Sequence, residues 1–241
     1  LDRLLDNVAA AREMDVPVWG KAEPGRRVKV SFADSCVETV AAADGAWSVK
    51  LPKMAASKES RVLRVAECVS GWLWDEETDV AEISDVLVGE VWMCSGQSNT
   101  DCPIWGDSPR YRDGWGAMTL SSTDKPFVRL VKTPLAASET PRYGYKVEWV
   151  KMTPAMLEGF RKGRRMPSAM GYYYALELAN SLDIPIGLVD SSWGGTNIDA
   201  WTPRSGYEGL AGLDAERDWK IVSAKGWKDE MRKGPISCLL Y

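Results

Sequence analysis

Apolar and polar positions alternate in two short runs near the start of the chain. Val28, Val30 and Phe32 interleave with Arg27, Lys29 and Ser31, and Trp47, Val49 and Leu51 repeat the pattern just after Asp44-Gly45, a strong hairpin-turn signal. A period of two turns one side of each run to a core and the other to water, so both predict half-buried strands. Ala22-Glu23-Pro24-Gly25 reads as a turn, and Val62 to Val69 as a further short strand. The chain up to about residue 84 therefore predicts a small all-β, sandwich-like domain (1–84). Its first 15 residues carry no pattern that assigns an element.

From Asp85 the pattern changes. Val91-Trp92-Met93-Cys94 is an unbroken apolar run, too short for periodicity to separate a buried strand from a buried helix segment. The β-favouring Val and Trp and the glycine that follows select a buried strand. Phe127 to Val131 and Val147 to Val150 read as further strands. Ala169, Tyr172, Leu176 and Ala179 recur at helical spacing, and Leu178 and Leu182 widen the apolar face. Ser168 suits the N-cap, and Pro185 ends the helix shortly after Asp183. Ile186-Gly187-Leu188-Val189 is the next buried strand. The pattern predicts an α/β domain over 85–241, with a parallel sheet and helices.

Two of these apolar strands empty into polar, glycine-containing loops: Ser95-Gly96-Gln97-Ser98-Asn99, and Asp190-Ser191-Ser192-Trp193-Gly194-Gly195-Thr196-Asn197. If the strands are parallel neighbours, both loops open on one edge of the sheet, where α/β proteins bind their ligands. A serine presented there by a tight turn can act as a nucleophile. Attack on an ester builds an oxyanion that needs N–H donors about 3 Å away. The backbone N–H of Ser98 and that of Gly194 or Gly195 are the candidates. Asp190 suits either a catalytic carboxylate or, better, a loop-positioning acceptor. Neither glycine-rich phosphate-binding pattern occurs. Asp101 to Gly116 is an irregular stretch rich in Gly, Pro and aromatics, of the kind that is usually functional. Arg161 to Arg165 is a basic cluster that reads as a solvated loop, with an anion site as its alternative.

Composition narrows the chemistry. At 45% hydrophobic and 27% charged residues the 241-residue chain has an ordinary globular composition, and its formal net charge of −4 argues against a general nucleic-acid binder. No apolar run approaches the roughly 18 residues of a membrane span. Twelve tryptophans are expected mostly in the core. Five cysteines without C-x-x-C spacing argue against a zinc ribbon or redox motif and leave disulfides open. There is no histidine, which excludes a His-ligated metal site and any Ser-His pair within these residues.

Gly89-Glu90-Val91-Trp92-Met93-Cys94-Ser95-Gly96-Gln97-Ser98-Asn99 and Gly187-Leu188-Val189-Asp190-Ser191-Ser192-Trp193-Gly194-Gly195-Thr196-Asn197-Ile198-Asp199-Ala200-Trp201-Thr202-Pro203 closely resemble the sialate O-acetylesterase family of SGNH hydrolases. Val16-Pro17-Val18-Trp19-Gly20 with Ala22-Glu23-Pro24-Gly25 is similar to that family's N-terminal β region. The resemblance implies an SGNH-like parallel sheet, a nucleophile at Ser98 and an oxyanion donor at Gly194 or Gly195. It also implies a pocket lined or braced by Gln97, Asn99, Asn197 and Asp199. The implied reaction removes O-acetyl groups from sialic acid or acetylated polysaccharide through an acetyl-serine, with no cofactor and no metal. A glycan substrate goes with an extracytoplasmic setting.

The chain departs from the family in two respects. Thr100 stands where the family usually has Met, a change expected to alter pocket shape. The family's later blocks, an Asn donor and an Asp-x-x-His pair, are not found. The expectation is an N-terminal portion, truncated at its C-terminal end, whose other half is a continuation or a second chain. Loss of the base costs roughly 10⁶-fold in turnover in a comparable serine hydrolase, so this chain alone is expected to be nearly inert. The alternatives are a non-catalytic binder of acetylated glycans and a purely structural fragment.

Overall fold

The computed structural model describes residues 9–70, 75–103, 124–135, 147–154, 167–196, 198–202, 204–208 and 212. The Arg161–Arg165 cluster, Asn197, Cys238 and most of the Asp101–Gly116 stretch lie outside the described residues.

The strands in chain order are β1 (Ala9–Ala11), β2 (Val16–Lys21), β3 (Arg27–Phe32), β4 (Ser35–Val40), β5 (Ala46–Leu51), β6 (Ser57–Ser70), β7 (Asp75–Gly96), β8 (Lys125–Lys132), β9 (Val150–Met152) and β10 (Ile186–Ser192). Among the described residues one α-helix, α1, spans Ala169–Leu182 between β9 and β10, and 3-10 turns follow at Ile198–Trp201 and Arg204–Tyr207. An eight-stranded mixed sheet runs β4-β3-β6-β7-β10-β8-β9, with β1 pairing alongside β7, and β2-β5 form a separate two-stranded sheet.

The alternating residues behave as their period requires. Val28, Val30, Phe32, Trp47, Val49 and Leu51 are all buried, and they share one core with Val65, Ile83 and Val88. Each such side chain contributes about 1.5–3 kcal/mol by leaving water. The turn at Asp44-Gly45 forms, with Gly45 N donating to Ala42 O and Ala42 N to Ala46 O, both at 2.8 Å. It does not close a hairpin ladder. β4 pairs with β3 and β5 with β2, so the turn carries the chain from one sheet to the other. The strand expected at Val62–Val69 is longer than its apolar pattern, 14 residues, because it pairs on both edges.

β7 joins the two halves of the molecule. Its first half pairs antiparallel with β6, and its last seven residues pair parallel with β10. The change falls beside a bulge: Arg61 opposes Val86 and Leu63 opposes Ile83, so Ser84 and Asp85 together face one residue. Asp85 takes φ +58 there, a left-handed conformation that Asp tolerates better than most residues. The residue 84/85 boundary read from the sequence falls on this bulge, inside a continuous strand.

Asp85 also ties the bulge to the strands beyond it. Its carboxylate accepts from Arg129 Nη2 at 2.8 Å and Lys151 Nζ at 2.5 Å, and Arg129 also donates to the Asp85 carbonyl. Burial pushes the Asp85 carboxyl up; the bonds from Lys151, Arg129 and Ser60 more than offset it and hold it at about 2, against an ordinary 3.8.

Beyond the bulge a second core forms on one face of the parallel strands. Tyr172, Ala175 and Leu176 of α1 pack against Cys94, Val128, Leu130, Ile186 and Leu188. Gly171 lets α1 approach closely, since a Cβ there would stand 3.0 Å from Cys94 Sγ and from Leu188 Cδ2. Ser168 caps the helix as expected, its side chain accepting from Gly171 N at 3.1 Å. β9 begins only at Val150, the last residue of the predicted Val147–Val150 strand.

One expectation about burial needs correction. In Val91-Trp92-Met93-Cys94 only Cys94 is buried; Val91, Trp92 and Met93 are 37%, 40% and 40% exposed. The segment is a strand, but among the described residues β10 flanks it on one edge only, and α1 covers one face. Trp92 meets the α1 residue Tyr174 edge-on at 5.2 Å rather than entering the core. Of the described tryptophans, Trp47 and Trp149 are buried, Trp19 and Trp92 are exposed, and Trp193 and Trp201 are half-buried. Cys36, Cys68, Cys94 and Cys102 are free thiols.

Gly89 is where β10 docks. A Cβ there would come 2.0 Å from the carbonyl oxygen of Pro185, a backbone atom that cannot swing aside. Pro185 O accepts from Glu90 N at 3.0 Å and starts the parallel pairing. Gly89→Ala is expected to lower stability by about 3 kcal/mol, the upper end for overpacking, as read from urea denaturation. The Asp85 carboxyl is depressed in the folded chain. Its contribution, about 2 kcal/mol by the shift, is present above the ordinary carboxylate value and is lost as pH falls from about 4 to about 2. Acid unfolding of Asp85→Asn should lack that slope.

Candidate active site

The predicted parallel neighbours are neighbours. Gly187 to Ser192 of β10 align with Val91 to Gly96 of β7, so Ser192 lies beside Gly96 where both strands end. Trp193 N carries the pairing one step further by donating to Gly96 O at 2.9 Å. β8 lies on the other edge of β10, parallel, with Lys132 beside Asp190. Three strand ends thus open on one edge of the sheet.

After β7 the chain makes a single tight turn. Asp101 N donates to Gln97 O at 2.8 Å, which places Ser98, Asn99 and Thr100 on the turn. Gly96 permits the entry: its φ is +149, and a Cβ would collide with Thr100 Oγ1 at 2.5 Å. Thr100 is buried beneath Gly96, so the residue that replaces the family's Met packs under the turn. Ser98 is exposed at the tip. Gln97 Oε1 accepts from Ser98 N at 2.7 Å and also from the Ser98 hydroxyl.

The glycine loop comes up against this serine. A Cβ on Gly194 would stand 3.6 Å from Ser98 Cα and 3.8 Å from Ser98 Cβ, which is van der Waals contact. Gly195 is exposed at φ +82. Thr196 pins the loop by donating to Trp193 O at 2.8 Å and accepting from Trp201 Nε1 at 2.8 Å. The structure therefore brings together Ser98, Gln97 and Gly194. Asn99 shares the serine turn and is exposed. Asn197 lies outside the described residues, and Asp199 is described only as backbone of the Ile198–Trp201 turn.

Beneath the two loops lies a charged cluster of which the sequence pointed only to Asp190, read as a loop-positioning acceptor in preference to a catalytic carboxylate. Lys132 Nζ donates to Asp190 Oδ2 at 2.8 Å, Asp101 Oδ1 at 3.0 Å and Ser192 Oγ at 3.4 Å. Asp190, fully buried, also accepts from Ser168 N at 2.7 Å and from Ser192 Oγ at 2.6 Å. Ser168 opens α1, so the carboxylate lies at the positive end of the helix dipole. These bonds make Asp190 a brace that ties the ends of β8 and β10 to the start of α1. Asp101 Oδ2 accepts from Gly194 N at 2.9 Å, which links the serine turn to the glycine loop. One cue in the sequence does point to Lys132: it is a charged residue ending an apolar strand, the position where α/β sheets place functional groups. Cys94, below the cluster, has its thiol pushed up by burial. Among the described residues no group of three or more Cys, Asp or Glu is placed to hold a metal ion.

No family model matches the chain. Individual proteins do. A carbohydrate acetylesterase from Xanthomonas citri, known from its crystal structure, superimposes with a TM-score of 0.68 at 31% identity, over 85% of this chain and 43% of that one. The human sialate O-acetylesterase is 29% identical over 197 residues, which are 77% of this chain and 35% of the human protein. The mouse enzyme of that name is 28% identical over 235 residues, 92% of this chain and 40% of its own. The chain thus spans well under half the length of the relatives it matches.

Mixed sheet, covering helix and serine-bearing strand end together define an α/β fold of the carbohydrate-acetylesterase kind. Within that class the resemblance read from the two long motifs holds: the chain is a relative of the sialate O-acetylesterases.

Lys132 is 7% exposed and the Asp190 side chain 0%. Lys132→Met is expected to cost about 3–5 kcal/mol, the range for removing one partner of a buried ion pair, because Asp190 is left uncompensated. A chemical-denaturation midpoint measures it.

Proposed function

We propose that this chain carries the serine nucleophile of a carbohydrate O-acetylesterase, acting on sialic acid or on acetylated polysaccharide. The observation that supports it most is the parallel β7–β10 pairing, which sets Ser98 in contact with Gly194 at one sheet edge. In this reading Ser98 Oγ attacks the acetyl carbonyl carbon and its proton passes to a base. Backbone N–H donors of the two loops stabilise the oxyanion, which collapses to release the sugar hydroxyl. Water then cleaves the acetyl-serine to acetate and free serine.

The 241 residues contain no histidine, so no imidazole of this chain is the base. Gln97 holds the Ser98 hydroxyl but is too weak a base to deprotonate it. Turnover by these residues alone is therefore expected to be slow. We read 1–84 as the scaffold and 85–241 as the catalytic portion, meeting at the β7 bulge, with no cofactor and an extracytoplasmic setting. A net charge of −4 disfavours nucleic acid as a partner, and no helix among the described residues is long and apolar enough to cross a membrane.

A second reading is a binder of acetylated glycans that does not turn them over. A fluorophosphonate probe with mass readout, applied to these residues together with the segment or partner that supplies the base, separates the two. The esterase reading expects one adduct, on Ser98, that is lost in Ser98→Ala. An unmodified protein that still binds acetylated glycan would support the binder instead.

A further inference from the structure

Two glycines have been candidates for the loop's oxyanion donor, and their N–H groups differ in this structure. Trp193 N is used on Gly96 O, and Gly194 N is used on Asp101 Oδ2. No partner is found for Gly195 N among the described residues, and nothing lies within 4 Å of where its Cβ would stand.

The bond at Gly194 is part of the buried cluster. Asp101 Oδ1 accepts from Lys132 Nζ at 3.0 Å and lies 3.1 Å from Ser192 Oγ, while Oδ2 takes the Gly194 N–H. Ser192 has a single proton to donate and is nearer to Asp190, at 2.6 Å, so Lys132 is the principal partner of Asp101 Oδ1. An incoming oxyanion that used Gly194 N–H would have to displace a carboxylate, one negative charge against another, and detach it from its lysine. Gly195 N–H carries no such cost. The loop must still be held against Ser98 for that donor to be useful, and the Asp101–Gly194 bond does this.

We propose that Asp101, charge-balanced by Lys132, is a positioning residue that clamps the glycine loop against Ser98, and that Gly195 rather than Gly194 supplies the loop's oxyanion donor. The donor assignment rests on the esterase reading above; the clamp does not.

Amide hydrogen exchange of the whole chain, resolved by NMR, tests the clamp directly. In the unmutated protein the Gly194 amide should exchange at least about tenfold more slowly than that of Gly195. Asp101→Ala should bring Gly194 to the Gly195 rate. Asp101→Asn, whose amide oxygen still accepts from Gly194 N, should keep most of the protection. With the segment or partner that supplies the base present, fluorophosphonate labelling of Ser98 should follow the same order, slowed about tenfold or more in Asp101→Ala and rescued in Asp101→Asn. Equal exchange of Gly194 and Gly195 in the unmutated protein overturns the clamp, whatever the fold of the variants. Intact protection in Asp101→Ala also overturns it. A protected Gly194 in a protein that the probe never labels supports the clamp and overturns the esterase reading together with the donor assignment.

Discussion

The architecture depends on one strand being shared. β7 begins as a partner of β6 and ends as a partner of β10; the bulge at Ser84–Asp85 bends it, β6 lets go at Val88, and β10 takes over from Glu90. A strand that only completed the first core would end near Val88. One that only opened the parallel sheet would have nothing to hold its start in register. Continuity across the bulge gives the serine turn a long lever anchored in a well-packed core, and Asp85 locks the lever to β8 and β9 through Arg129 and Lys151.

Parallel pairing then decides the rest of the site. Because β7, β10 and β8 run the same way, their last residues gather on one edge, and the polar side chains there bond one another and the backbone N–H groups of Ser168 and Gly194. Lys132 sits between Asp101 and Asp190 for that reason. Buried charges are tolerated when paired and hydrogen-bonded, and here they hold the loops together. Ser98 and Gly194 are neighbours in space although they lie in loops from two different strands.

Several glycines and small residues of the two long motifs have steric roles. Gly89 admits the Pro185 carbonyl, Gly96 makes the turn over Thr100, and Thr196 bonds both Trp193 and Trp201. Change at these positions would alter the spacing of the loops before it altered any chemistry.

The local pattern was enough to locate most elements. Alternation marked β3 and β5, helical spacing and a capping serine marked α1, and apolar runs emptying into polar, glycine-containing loops marked the ends of β7 and β10. These are short-range consequences of side-chain direction and backbone freedom, so a single sequence displays them. Burial of Val91, Trp92 and Met93 was misread because an apolar run reports the preference of its own side chains, whereas exposure depends on which strands and helices arrive from elsewhere. The turn at Asp44-Gly45 was legible, but not the sheets its flanking strands would join. Asp190 was legible as a loop-positioning acceptor, but its partners Lys132 and Asp101 were not, for the same reason: the three lie on separate segments, and only the parallel order of the sheet brings one ammonium between two carboxylates.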